Sequence, residues 1–164
     1  IIKKGFAQVY TEPRGPLKGK VFNLTAGDYF GDEALIADTP RNASVIMSSD
    51  GTLGRIGKTA FTRIIKERLV PSFAVANINH QSELKILDVR YAAEYKNSHE
   101  VGSTNIPISY LRKKLNLLNK SCVYILTPAN DKRSELATYL MRQAGFDAYQ
   151  QVAEAVLNVR PGVA

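Results

Sequence analysis

The chain of 164 residues contains one cysteine, no tryptophan and two methionines. A single thiol closes no intrachain disulfide, so packing alone must hold the fold. No apolar run approaches the ~20 residues that cross a bilayer as a helix, so no membrane segment is expected. The opening Ile1-Ile2-Lys3-Lys4-Gly5 has neither an initiating Met nor the n-, h- and c-regions of a secretory signal. It reads as a fragment, or as a start at the first ordered residue. Without an export signal or a disulfide, a cytoplasmic protein is expected.

Lys and Arg number 22 against 15 Asp and Glu, a formal charge of +7. This balance favours anionic partners through long-range attraction, but a solvated basic surface is the simpler reading. Arg112-Lys113-Lys114 is the densest basic tract, and no aromatic-rich basic stripe accompanies it. Nucleic acid is therefore not an expected partner. A hydrophobic content of 45% is that of globular proteins, and the length suits one ordinary domain or two small ones.

The hydrophobic period changes once along the chain. Residues 1 to 57 read as β structure: Phe6 to Thr11, Val21 to Leu24, Ala43 to Met47 and Thr52 to Ile56 are short runs of strand formers. Glu12-Pro13-Arg14-Gly15-Pro16 is turn chemistry, and Ser48-Ser49-Asp50-Gly51 joins the last two runs. Short strands at such intervals predict an antiparallel sandwich or barrel. From Lys58 to Arg68, Phe61, Ile64 and Ile65 form one apolar helical stripe, which Pro71 ends. The first domain is placed at 1–70, a linker at 71–83 and a second domain at 84–158. In that second domain strands (Leu84 to Val89, Cys122 to Leu126, Phe146 to Gln150) alternate with helices (Ala92 to Lys96, Ser109 to Leu118, Arg133 to Gln143). Such βα alternation predicts a parallel α/β sheet.

The densest chemistry lies in Phe30-Gly31-Asp32-Glu33-Ala34-Leu35 and, after a short gap, Pro40-Arg41-Asn42-Ala43-Ser44-Val45. Gly31 permits positive φ or close backbone approach. Glu33-Ala34-Leu35 can make a helical turn whose free N–H groups suit an anion. Arg41 offers a planar fork for phosphate oxygens, and Pro40 stiffens the approach to it. Asp32 can accept a hydrogen bond from a sugar hydroxyl. The opposing reading pairs Arg41 with a carboxylate as a relic of the fold.

This stretch resembles the phosphate-binding cassette of cyclic-nucleotide-binding domains, F-G-E-x-A-L followed without insertion by P-R-x-A-[T/S]-V. The resemblance covers roughly residues 1–67 and implies a β-sandwich of the jelly-roll type. It implies that Arg41 binds a cyclic phosphate, helped by the backbone amides of Ala34 and Asn42, and that Gly31 and Asp32 bind the ribose 2′-hydroxyl. The implied site comprises Gly31, Asp32, Glu33, Ala34, Leu35, Arg41, Asn42 and Ala43, and the ligand is cyclic AMP or cyclic GMP. Three departures stand out. Asp32 replaces the usual Glu, and a carboxylate about 1.5 Å short would forgo a charge-assisted hydrogen bond of roughly 1.5–3 kcal/mol. Asn42 replaces a small residue. The family's first strands have no counterpart here, which implies an open sheet edge.

Residues 82 to 150 resemble a rhodanese domain. Leu87-Asp88-Val89-Arg90 matches its L-D-V-R opening, and Glu94-Tyr95 with Ser98 to Pro107 matches E-Y-x-x-G-H-I-x-G-A-x-N-I-P with changes at Ser98, Glu100 and Ser103. Arg133-Ser134 and Gly145-Phe146 match the helix after the family's active loop, C-x-x-G-x-R-S. Sulfur transfer needs a thiolate at a helix start, where N–H groups lower its pKa. The inactive loop is Pro128, Ala129, Asn130, Asp131, Lys132 and Arg133. Pro128 stands at the cysteine position and brings neither nucleophile nor N–H. Asp131 stands at the glycine position, where a carboxylate repels an anion. The lone Cys122 is expected to be a structural thiol, His99 a hydrogen-bonding residue of its turn, and Asp88 and Arg90 scaffold charges. His80 has no assigned partner. A metal or phosphate site at Asn130 to Arg133 is the weaker reading beside a capped helix start. No metal, cofactor or catalytic residue is expected.

Together these resemblances imply a regulatory, signal-transducing protein of bacterial type. It would sense a cyclic nucleotide or another small anion and present a non-catalytic rhodanese-like domain to an unidentified protein partner. Ligand would act through the helix from Lys58 to Glu67; a homodimer is compatible with this. Two alternatives remain: a sulfurtransferase working from a non-standard site at Cys122, and a transcriptional regulator of the cyclic-nucleotide receptor type.

Overall fold

The computed structural model describes residues 1–11, 20–73 and 82–152. The expected turn at Glu12 to Pro16, His80 and residues 153–158 lie outside the described residues. The chain divides into two compact units, Ile1–Ile65 and Lys66–Ala164.

In the first unit β1 (Ile2–Lys4) pairs antiparallel with β5 (Thr52–Leu53). β2 (Ala7–Thr11) lies between β3 (Val21–Leu24) and β4 (Ala43–Met47), again antiparallel. The register sets Val9 against Phe22 and Val45, and Ala7 against Leu24 and Met47. Period-2 alternation thus gathers these six apolar side chains on one face. Ser48 to Gly51 join β4 to β5 as expected, and the two strands belong to different sheets. The strand expected at Thr52 to Ile56 ends at Leu53, where Gly54 gives its N–H to Ile1. α1 (Asp32–Ala37) follows Gly31 and buries Ile36 and Ala37.

The helix predicted from Lys58 forms in three pieces. α2 (Lys58–Phe61) runs into a π-helical turn at Thr62–Lys66, and α3 (Glu67–Leu69) completes it. A wider turn advances the register, so Phe61 is buried but Ile64 is 53% exposed. The single apolar stripe read from an uninterrupted 3.6 period is corrected accordingly.

In the second unit β6 (Leu84–Asp88), β7 (Thr104–Asn105), β8 (Val123–Thr127) and β9 (Asp147–Gln150) form a parallel sheet in the order β7-β6-β8-β9. Every residue of the apolar run β8 is buried, as a central strand of a parallel sheet requires. α4 (Ala92–Asn97), α5 (Ile108–Lys114) with a 3-10 turn at Leu115–Leu117, and α6 (Lys132–Gln143) connect the strands. α6 buries Ser134, Ala137, Thr138 and Met141, the i, i+3, i+4, i+7 stripe of an amphipathic helix. Gly145, at φ 82°, lets the chain turn out of it.

The expected linker is also corrected at its start. Gln150 donates its N–H to the Pro71 carbonyl, and Phe73 donates to the Gln150 carbonyl. Phe73 is buried with Val123, Ile125 and Tyr149, so Pro71 to Phe73 belong to the second unit. Residues 74–81 of that linker lie outside the described residues.

Candidate functional site

Gly31 caps α1 at φ 79°, ψ 7°, a left-handed conformation that favours glycine. Arg41 lies directly over it and donates from Nη1 to the Gly31 carbonyl. A Cβ at Gly31 would collide with that guanidinium. The acidic residues Asp32 and Glu33 occupy the first turn of α1, where the helix dipole favours negative charge. Asp38 ends α1 in the left-handed region and accepts from Lys58 at 2.5 Å. The structure thus brings Gly31, Asp32, Glu33, Ala34 and Leu35 onto one turn and sets Arg41 against its start. Asn42 follows Arg41 on the exposed approach to β4, and Ala43 is the first residue of that strand. A separate open depression of about 440 Å³ is lined by Phe6, Ala7, Asn23, Leu24, Thr25 and Ser48, none of them from the cassette.

In the second unit the loop after β8 runs through Pro128, Ala129 and Asn130 to Asp131, the N-cap of α6. Asn130 adopts φ 58°. Asp131 accepts from the Arg133 backbone N–H at 2.7 Å, the capped helix start expected from the sequence. Its carboxylate also takes Arg133 Nη2 at 2.8 Å and Nε at 3.1 Å. The outer edge of the same guanidinium grips Glu94 through Nη1 at 2.7 Å and Nη2 at 2.9 Å. The exposed Tyr91 ring stands 5.6 Å from it. Burial pushes the Asp131 carboxyl up, but the hydrogen bonds from the Arg133 side chain and backbone outweigh this and hold it low. The Arg133 hydrogen bonds, with the Tyr91 N–H, likewise hold Glu94 below the usual range. The Arg133 guanidinium is pushed up by Asp131 first and Glu94 second.

Asp88 is fully buried and pairs with Arg90 at 2.7 Å, while Asn105 Nδ2 ties the carbonyls of Asp88 and Arg90. His99 stacks on Tyr95 with ring centroids 4.0 Å apart, and its Nδ1 lies 2.8 Å from the Tyr95 carbonyl. These are structural placements, as their sequence context suggests.

Cys122 sits before the first residue of β8, whereas the loop follows its last. A strand of this length separates the two by roughly 17–20 Å. The thiol is buried, its Sγ 3.4 Å from Glu83, and burial, then Glu83, pushes its pKa up. The part played by Glu94 was not assigned from the sequence, although its motif position was noted. No local signal links it to Arg133, 39 residues away.

Two units of this kind define a class: a β unit carrying a glycine-arginine cassette, followed by an α/β unit with a loop between a central parallel strand and a capped helix. Residues 1–68 match the cyclic nucleotide-binding domain and residues 72–157 match the rhodanese-like domain. The chain belongs to the rhodanese-like family and carries a cyclic nucleotide-binding domain ahead of the rhodanese-like one. It is 42% identical over 65 residues to a cAMP-dependent protein kinase regulatory subunit of Candida albicans, covering 40% of this chain and 13% of that protein. It is 33% identical over 86 residues to the candidate sulfur carrier protein YrkF of Bacillus subtilis, covering 52% of this chain and 43% of that protein. The chain therefore spans less than half the length of these relatives. A rhodanese-related protein of Thermoplasma volcanium superposes with a TM-score of 0.40 at 32% identity, over 42% of this chain and 69% of that one.

Proposed function

We propose that the first unit binds a cyclic nucleotide and that the second is a non-catalytic rhodanese-like module serving regulation. One observation carries the first half: Arg41 is held over the left-handed Gly31 at the start of α1. The Arg41 guanidinium and the Ala34 amide of that turn would then face one anion together. Likeness to a kinase regulatory subunit named for cAMP supports cyclic AMP as the ligand to test first. In this reading Asp32 takes the ribose hydroxyl, and the amides of Ala34 and Asn42 assist Arg41. Pro128 and the Asp131–Arg133–Glu94 network support the second half. Neither offers a nucleophile, and the buried Cys122 lies at the wrong end of β8 to supply one. A cytoplasmic location, a protein partner and a homodimer belong to the same proposal.

Isothermal calorimetry with cyclic AMP and cyclic GMP tests the ligand. The wild-type chain should bind one of them saturably, and Arg41→Ala should weaken binding at least about tenfold. Heat indistinguishable between the two proteins would sink the reading. The likeness to a sulfur carrier keeps a second reading in view. Transfer of sulfur from thiosulfate to cyanide, lost on Cys122→Ser, would establish it in place of the non-catalytic module.

A further inference from the structure

We propose that Asp131 is a built-in anion: its carboxylate occupies the loop between β8 and α6 and closes it to external oxyanions. This deepens the reading of the second unit as non-catalytic and is independent of the ligand of the first.

The donors of the loop are taken from within. Asp131 receives the Arg133 backbone N–H together with Arg133 Nε and Nη2. Glu94 takes two more of the guanidinium's N–H groups through Nη1 and Nη2, so four of its five donors are engaged. The Arg133 guanidinium is thus shared between two carboxylates, with Arg90 close enough to act on both, and the Asp131 carboxylate already sits where an oxyanion would meet the helix start.

A second observation marks the same place as suited to an acceptor. Ser134 lies in the first turn of α6, is fully buried, and its Oγ has no hydrogen-bond partner among the described residues. Ser134 is the third residue of α6, and a helical Cα–Cβ bond tilts toward the N-terminus, so its side chain lies on the buried face of the turn that begins at Asp131. A buried hydroxyl without an acceptor is costly, and an oxyanion at the helix start would supply one. α6 has 12 residues and presents the positive end of a full helix dipole there. Removing the Asp131 carboxylate therefore frees the helix start, the Nε edge of Arg133 and a buried hydroxyl, while Glu94 keeps the outer edge of the guanidinium.

The test is an NMR titration of the whole chain with sodium sulfate and with sodium thiosulfate at constant ionic strength. It follows the Arg133 Nε–H and the amides of residues 132–134. Asp131→Gly empties the place; Asp131→Asn keeps a capping oxygen and a folded helix while removing the charge. Glu94→Gln removes the same charge and leaves Asp131 seated. The wild type and Glu94→Gln should show no saturable shift. Both Asp131 variants should bind, at least about tenfold more tightly than the wild type. Equal binding by the wild type, equal gain from Glu94→Gln, or no binding by a folded Asp131 variant would each overturn the proposal. Sulfur transfer by the wild type would instead count against the non-catalytic reading and leave this titration to be judged by its own shifts.

Discussion

Asp131 and Glu94 share the Arg133 guanidinium, and their carboxyls are held below the ordinary range. In the unfolded chain such groups titrate near about 3.9 and 4.3. The folded state therefore binds fewer protons, so stability rises with pH through this window. The contribution is complete above the unfolded values and is lost as pH falls through the depressed folded ones. Urea unfolding from about pH 2 to 6 should show a steep acid limb that Asp131→Asn flattens. At neutral pH that variant should lose about 1–2 kcal/mol, because an amide still caps the helix but no longer pairs with the guanidinium. An unchanged acid limb would mean that Asp131 is not held by Arg133. Cys122 gives a second residue-level expectation. Burial, and then Glu83, raise its pKa, so a disulfide reagent should modify it only as fast as the unit opens. Rapid labelling of the native chain would contradict this.

At the scale of elements, β8 and its neighbours carry the second unit. Ile125 is fully buried between β6 and β9, and Ile125→Ala should cost about 2–5 kcal/mol in chemical denaturation. In the first unit the turn into α1 has a different sensitivity. Gly31→Ala must place a side chain in the left-handed region, at about 1–2 kcal/mol, and against Arg41. It should therefore weaken cyclic-nucleotide binding as well as stability. Binding at wild-type strength would detach Gly31 from the site. The strands with strong patterns were legible: Ala43 to Met47 forms over the expected residues, and the buried run after Cys122 is a central strand. The helix at Lys58 was legible in its start and not in its register, because a π-helical turn leaves no mark in a hydrophobic pattern. Pro71 to Phe73 reads as linker because it is weakly patterned, and its docking on an edge strand depends on residues such as Gln150, far along the chain.

At the scale of the whole chain, composition allowed two small domains, and the structure holds two units with different sheets. The change from short antiparallel runs to βα alternation was visible because the two architectures have different periods. Pairing partners were not: β1 with β5, and β4 with β2, depend on long-range closure that no local signal encodes. The cassette was legible because its residues are close in sequence. The Glu94–Arg133 pair was not, because it joins two helices only once the sheet brings them together. A ligand held by the first unit should also stabilise it by mass action, by about 2.7 kcal/mol at a hundredfold excess over Kd.

The most direct measurement is a cyclic AMP titration of the whole chain, followed at its backbone amides. Saturable shifts centred on Gly31, Ala34 and Asn42, abolished by Arg41→Ala, are the predicted result. Shifts that persist without the Arg41 side chain, or that centre on residues 128–133, would contradict the account.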